Sequence, residues 1–122
     1  MSNVELTLKE AMEIDGATAV ALVDYESGMS LGALGSGSLD LDVAAAGNTE
    51  VIRAKMRTLE SLGLKDTIDD ILITLGRQYH LIRLVNGQSH AGLFIYLALD
   101  KQKANLALAR HRLKGIENEL TV

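Results

Sequence analysis

The stretch "AGLFIYLALDKQKANLALARHRLKGIENEL", residues 91–120, decides the fold. Its first nine residues, 91–99, are apolar without alternation and too short for a buried helix, so they read as a strand covered on both faces. Beyond Asp100 the apolar residues take helical spacing. Leu106, Ala109, Leu113, Ile116 and Leu120 fall on one face, and Ala104, Leu108, His111 and Gly115 form a second row nearly opposite. The spacing predicts a helix over 101–120 with Asp100 as its N-cap and contacts on two sides. A strand buried on both faces requires helices above and below the sheet.

Outward from that unit, "TAVALVDY" (18–25) is a second short apolar run, turned by "YESG" into "MSLGAL" (29–34). "TIDDILITL" (67–75) alternates after Asp70, with Ile71, Ile73 and Leu75 opposite Leu72 and Thr74. "YHLIRLV" (79–85) alternates in the same way, and Asn86-Gly87 is a hairpin signal. A first helix covers 3–14, with Val4, Leu8, Ala11 and Met12 on one face, and ends at Asp15-Gly16. A long helix covers 39–62, with Leu41, Ala45, Ile52, Met56 and Leu59 as its stripe, widened by Ala44, Val51 and Leu62. Asn48 and Lys55 interrupt that stripe, which points to a helix meeting a sheet and a further surface; Lys55 snorkelling to solvent is the simpler alternative. Helix 101–120 is mostly basic over 101–114 and residues 1–16 are acidic, so the first helix is its natural second contact.

The order is α-β-β-α-β-β-β-α. The expected fold is α/β (α+β): a three-layer α/β/α sandwich around a five-stranded antiparallel sheet. The 122 residues are expected to form one domain, 1–122.

Composition excludes several classes of function. Cysteine is absent, which removes disulfides, thiol nucleophiles and thiolate metal sites. A net charge of −4 and 3% aromatic residues argue against nucleic acid as a partner. No apolar run has the roughly 20 residues a membrane span needs, and the acidic start is unlike a secretory signal, so a cytoplasmic location is expected.

"GALGSGSLD" (32–40) resembles a phosphate loop only in its glycines. No lysine lies between Lys9 and Lys55, the glycine spacing is G-x-x-G-x-G, and Asp40 and Asp42 bring negative charge. Ser38 reads better as a helix cap, with the two aspartates in the first turn. His80, His90 and His111 lie on separate elements without metal-ligand spacing. Asp69 and Asp70 point to opposite faces of a strand and cannot share a proton. The basic run "RHRLK" (110–114) reads as a solvated or acid-paired helix face. No catalytic residue, cofactor or metal is expected.

Residues 92–120, with a buried strand ending in Asp, a "K-x-x-A-N-L" entry and "A-R-x-x-L" along the helix, resemble the last strand and helix of the Roadblock/LC7 family. "GATAVALVDYESGMSLG" (16–32) resembles its first hairpin, and the element order is similar throughout. The resemblance, to the free-standing prokaryotic type, implies a profilin-like module without catalytic residues. It implies homodimers or heterodimers in which the second helix packs against its twin and the third strand pairs across the dyad. That places an interface on Ala45, Asn48, Ile52, Met56, Leu59, Ile71 and Ile73, with Arg53 and Arg57 as candidate partner contacts. Members regulate or scaffold small Ras-like GTPases in prokaryotes, or serve as dynein light chains and lysosomal scaffold subunits in eukaryotes. The implied function is a non-enzymatic homodimeric module whose partner is a small GTPase or related signalling protein. The alternatives are a small-molecule sensor of the PAS or GAF kind and a structural subunit of a larger complex.

Overall fold

The computed structural model describes residues 3–35, 39–86 and 92–122. The elements are α1 (Val4–Met12), β1 (Ala17–Asp24), β2 (Met29–Gly35), α2 (Leu41–Ser61), β3 (Asp70–Thr74), β4 (Gln78–Val85), β5 (Leu93–Asp100) and α3 (Leu106–Asn118). They form a three-layer α/β/α sandwich. The sheet order is β2-β1-β5-β4-β3, and every neighbouring pair is antiparallel.

β5 sits at the centre because it can be buried on both sides. Its Leu93, Ile95, Leu97 and Leu99 face α1 and α3, joined by Leu8, Ala11, Leu113 and Ile116. Its Phe94, Tyr96 and Ala98 face α2, joined by Ala45 and Ile52. Each large side chain removed from water in this way contributes roughly 1.5–3 kcal/mol. The alternation predicted for β4 is observed: Leu81 and Val85 join the α1/α3 side, Ile82 and Leu84 the α2 side.

Three sequence expectations change. The helix cap assigned to Ser38 falls to Asp40, whose Oδ1 accepts from the amides of Asp42 (3.0 Å) and Val43 (3.2 Å); Ser38 lies outside the described residues. Asp100 does not cap α3. Its carbonyl accepts from Lys103 and Ala104 and its Oδ1 from Gln102, closing a separate turn, and Asn105 caps the helix by accepting from Leu108 at 3.1 Å. The chain must reverse between the end of β5 and α3, and this turn makes the reversal. Finally, of the second row only Ala104, in the turn before α3, packs against the core that α1 shares; Leu108, His111 and Gly115 are exposed, and α1 packs beside α3 through the core residues instead. Gly87 and His90 also lie outside the described residues.

Candidate functional site

The sheet has two outer edges, and they are built differently. On β2 the register slips at Leu22/Val23, so Leu31 is an extra residue without a partner on β1. Ser30 Oγ also donates to the Gly32 carbonyl at 3.2 Å. A bulge with a locally satisfied carbonyl is how an edge strand resists pairing. β3 carries no such device, and Asp70 to Thr74 run in unbroken register against Arg83 to Tyr79. Its first residue is clamped by Arg110 of α3, whose Nε and Nη2 each donate to an Asp70 carboxylate oxygen at 3.1 Å. This bidentate pair ties the start of the edge strand to α3. Arg110 is thus acid-paired, one of the two alternatives for the basic run.

α2 lies on the same face of the sheet as Ile71 and Ile73 of this edge strand. Ala45, Thr49 and Ile52 point into the sheet. Arg53 holds one flank, donating through Nη2 to the carbonyl of Glu26 in the β1–β2 turn and through Nη1 to Glu50. At 100° per residue the opposite flank carries Ala44, Gly47, Val51, Ala54, Lys55, Thr58 and Leu62. This flank is small or apolar apart from Lys55, and Val51 (38% exposed) and Leu62 (64%) stand open on it. The main body of α2 packs over β1 and β2, so Ile71 and Ile73 on β3 are only half-buried at the margin of its core.

The sequence-predicted interface residues divide accordingly. Ala45 and Ile52 are 1% and 0% exposed and pack against the chain's own sheet. Asn48, Met56 and Leu59 are half-buried. Met56 and Leu59 line a cleft of about 390 Å³ with Leu64, Ile68 and Leu84. Of the two candidate contact residues, Arg53 is committed to the β1–β2 turn and Arg57 is exposed. Val51 and Leu62 belong to the widened apolar stripe of the sequence, and Ala54 and Thr58 lie outside it. The signal was the breadth of the apolar sector, too wide for one helix–sheet contact.

His80 occupies the same margin, opposite Ile73 in register. Its ring stands edge-on to Tyr96, with centroids 5.2 Å apart, and its Nε2 lies 3.0 Å from Gln78 Oε1. A proton on Nε2 for that carbonyl leaves Nδ1 to accept from the Tyr96 hydroxyl at 3.2 Å, a neutral imidazole satisfied on both sides. Burial holds the ring below the ordinary histidine value of 6.5. The unfolded chain therefore binds the proton first as pH falls. Stability is lost from about the ordinary value down to the lowered folded value, and is fully present above that window. His80→Gln keeps a polar group near Tyr96 but has nothing to titrate there. Thermal melts between about pH 7.5 and 5.5 should show a steeper loss in the wild type than in the variant; equal slopes would remove His80 from the pH response.

Among the described residues, no group of three or more His, Asp or Glu is placed to hold a metal ion, and no helix is long and apolar enough to cross a membrane. A cleft of about 760 Å³ opens at the sheet end, lined by Thr18, Arg77, Asp100, Lys101 and neighbouring residues.

No protein-family profile matches the sequence, and no curated protein matches it. Solved structures do match in fold. The Roadblock/LC7 domain from Streptomyces avermitilis superposes with a TM-score of 0.79 at 11% identity, covering 97% of this chain and 93% of that one. Myxococcus xanthus MglB gives 0.75 at 18% identity, covering 93% and 85%. MglC from Myxococcus xanthus gives 0.59 at 20% identity, covering 94% and 93%.

Proposed function

On this Roadblock/LC7 fold, we propose that the chain is a homodimeric interaction module that regulates or scaffolds a small Ras-like GTPase. What supports the reading is the regular β3 edge together with the small, apolar flank of α2 on the same face of the sheet. Two copies related by a two-fold axis would pair β3 with β3 and pack α2 on α2, satisfying the edge amides and covering Val51 and Leu62 together. The dimer surface is then Val51, Ala54, Thr58, Leu62, Asn48, Met56, Leu59, Ile71 and Ile73, with Ala45 and Ile52 behind it. A dimer of this kind presents two copies of the exposed Arg57 face to a partner.

The sensor alternative needs a cavity between sheet and helices. Those interfaces are filled by Leu22, Ile52, Ile95, Phe94 and Leu113, all 0% exposed, and the clefts open at the sheet ends.

Sedimentation velocity at micromolar concentration should give a dimer. Val51→Lys, which brings two ammonium groups to the dyad, should raise the dimer Kd at least about a hundredfold, or close to 3 kcal/mol. A wild-type monomer would refute the dimer. For the partner, Ras-like GTPases from the source organism, loaded with GDP or a non-hydrolysable GTP analogue, are passed over the immobilised dimer. Retention in one nucleotide state is expected, with altered GTP turnover marking a regulator and unaltered turnover a scaffold. Retention of none in either state would overturn the assignment.

A further inference from the structure

The part of the second row that lies on α3, Leu108, His111 and Gly115, is exposed. Leu108 is 46% exposed, and a Cβ placed on Gly115 would meet no atom within 4 Å. α1 has a matching outer row, in which Leu6 is 54% exposed and is followed at helical spacing by Glu10 and Glu13.

The two helices lie side by side and antiparallel on one face of the sheet. At one end the Asn3 amide donates to the Thr121 carbonyl at 3.0 Å; at the other, Gly16 abuts the backbone of Ala104. Their charges are opposite. Residues 3–16 hold four acids against one lysine, and residues 101–114 hold five cations and no acid. Lys9 is paired with Glu5 and Arg110 with Asp70. Among the described residues, Glu10, Glu13, Lys103, Arg112 and Lys114 make no ion pair.

We propose that the α1/α3 face is a second self-association surface, distinct from the α2/β3 one and on the opposite side of the sheet. A two-fold axis parallel to the helices sets the acidic α1 row of one copy over the outer row of α3 in the other, twice over, with Leu6 and Leu108 as the apolar contacts and the exposed Arg112 and Lys114 on the two sides of that row. The occupant is a second copy because the face needs a ligand carrying an acidic and a basic helix side by side at this spacing, and this chain carries that pair. Such a face is self-complementary under a two-fold operation. Charge of this sort supplies register and rate of encounter, so the contact is salt-sensitive.

The test uses the Val51→Lys chain, in which the α2/β3 contact is removed, so the two surfaces succeed or fail separately. Sedimentation equilibrium of this parent at low salt should show reversible dimerisation, lost at high salt. Glu10→Lys with Glu13→Lys, or Arg112→Glu with Lys114→Glu, should each weaken it at least tenfold, because like charges then oppose. An equimolar mixture of the two reversed proteins should associate as well as the parent, since both stripes are again complementary. Glu13, Arg112 and Lys114 are exposed and Glu10 is half-buried, and far-UV circular dichroism verifies folding of each reversed protein. A parent that stays monomeric at low salt, reversals without effect, or a mixture no better than its components would each overturn the proposal.

Discussion

Arg83→Met is expected to destabilise the protein by about 3 kcal/mol, the scale for removing one partner of a buried ion pair. Arg83 Nε donates to Glu117 Oε1 at 2.8 Å, and the two side chains are 14% and 9% exposed. The pair joins β4 to the last turn of α3 across the α1/α3 layer. Methionine preserves the apolar stem of arginine but strands the Glu117 carboxylate in a site closed to water. Glu117→Leu strands the guanidinium instead, which can reach outward more readily and should cost less. The double variant should recover most of the loss, because desolvating both charges offsets much of what their attraction returns. Urea melts of the four proteins form a double-mutant cycle, and a coupling energy under about 0.5 kcal/mol would show that the pair does not act as a unit.

Gly16→Ala is expected to cost a similar amount, about 3 kcal/mol, from two causes that add. Gly16 has φ +87°, a conformation that costs a residue with a Cβ about 1–3 kcal/mol. A Cβ there would also stand 2.9 Å from the Ala104 nitrogen and 3.0 Å from its Cα. These are backbone atoms of the turn that leads into α3, and they cannot swing aside as a side chain can. The same turn is tied to Gly16 by the Asp100 amide, which donates to its carbonyl at 2.7 Å. A fall in Tm of roughly 10 °C is expected for a chain of this length. Gly28→Ala is the control. Its φ of +81° carries the same backbone strain, but the nearest atom is Thr49 Oγ1 at 3.9 Å, so only the strain should appear. Equal losses at the two positions would mean that the Ala104 contact relaxes freely.

Most of the architecture was legible in the residues. The unbroken apolar runs of β1 and β5 required cover on both faces, and the alternation of β3 and β4 divided their side chains between two cores as observed. Element ends were less legible. Asp40 and Ser38, or Asp100 and Asn105, are all competent caps, and the choice between Asp100 and Asn105 depends on where the chain must turn against Gly16. The candidate site was legible only in outline. The α2 stripe is wider than the sheet covers, and Ala45 and Ile52, which the resemblance places at an interface, are buried against the chain's own sheet.

Periodicity records which residues share a face, because 100° per residue in a helix and alternation in a strand are local geometry. For this chain that determined the identity, order and apolar faces of its elements, and through them the three-layer sandwich. It carries no record of which neighbour covers a face, since that is settled between residues far apart in the chain. Only the tertiary structure set α2 over β1 and β2, leaving Val51 outside while burying Ile52 one residue away. Only the tertiary structure joined Arg83 to Glu117, bulged one sheet edge and left the other regular, and left the outer rows of α1 and α3 without a covering neighbour. Burial is decided by what the folded sheet can reach, and a helix with an apolar sector wider than one contact always leaves part of it exposed.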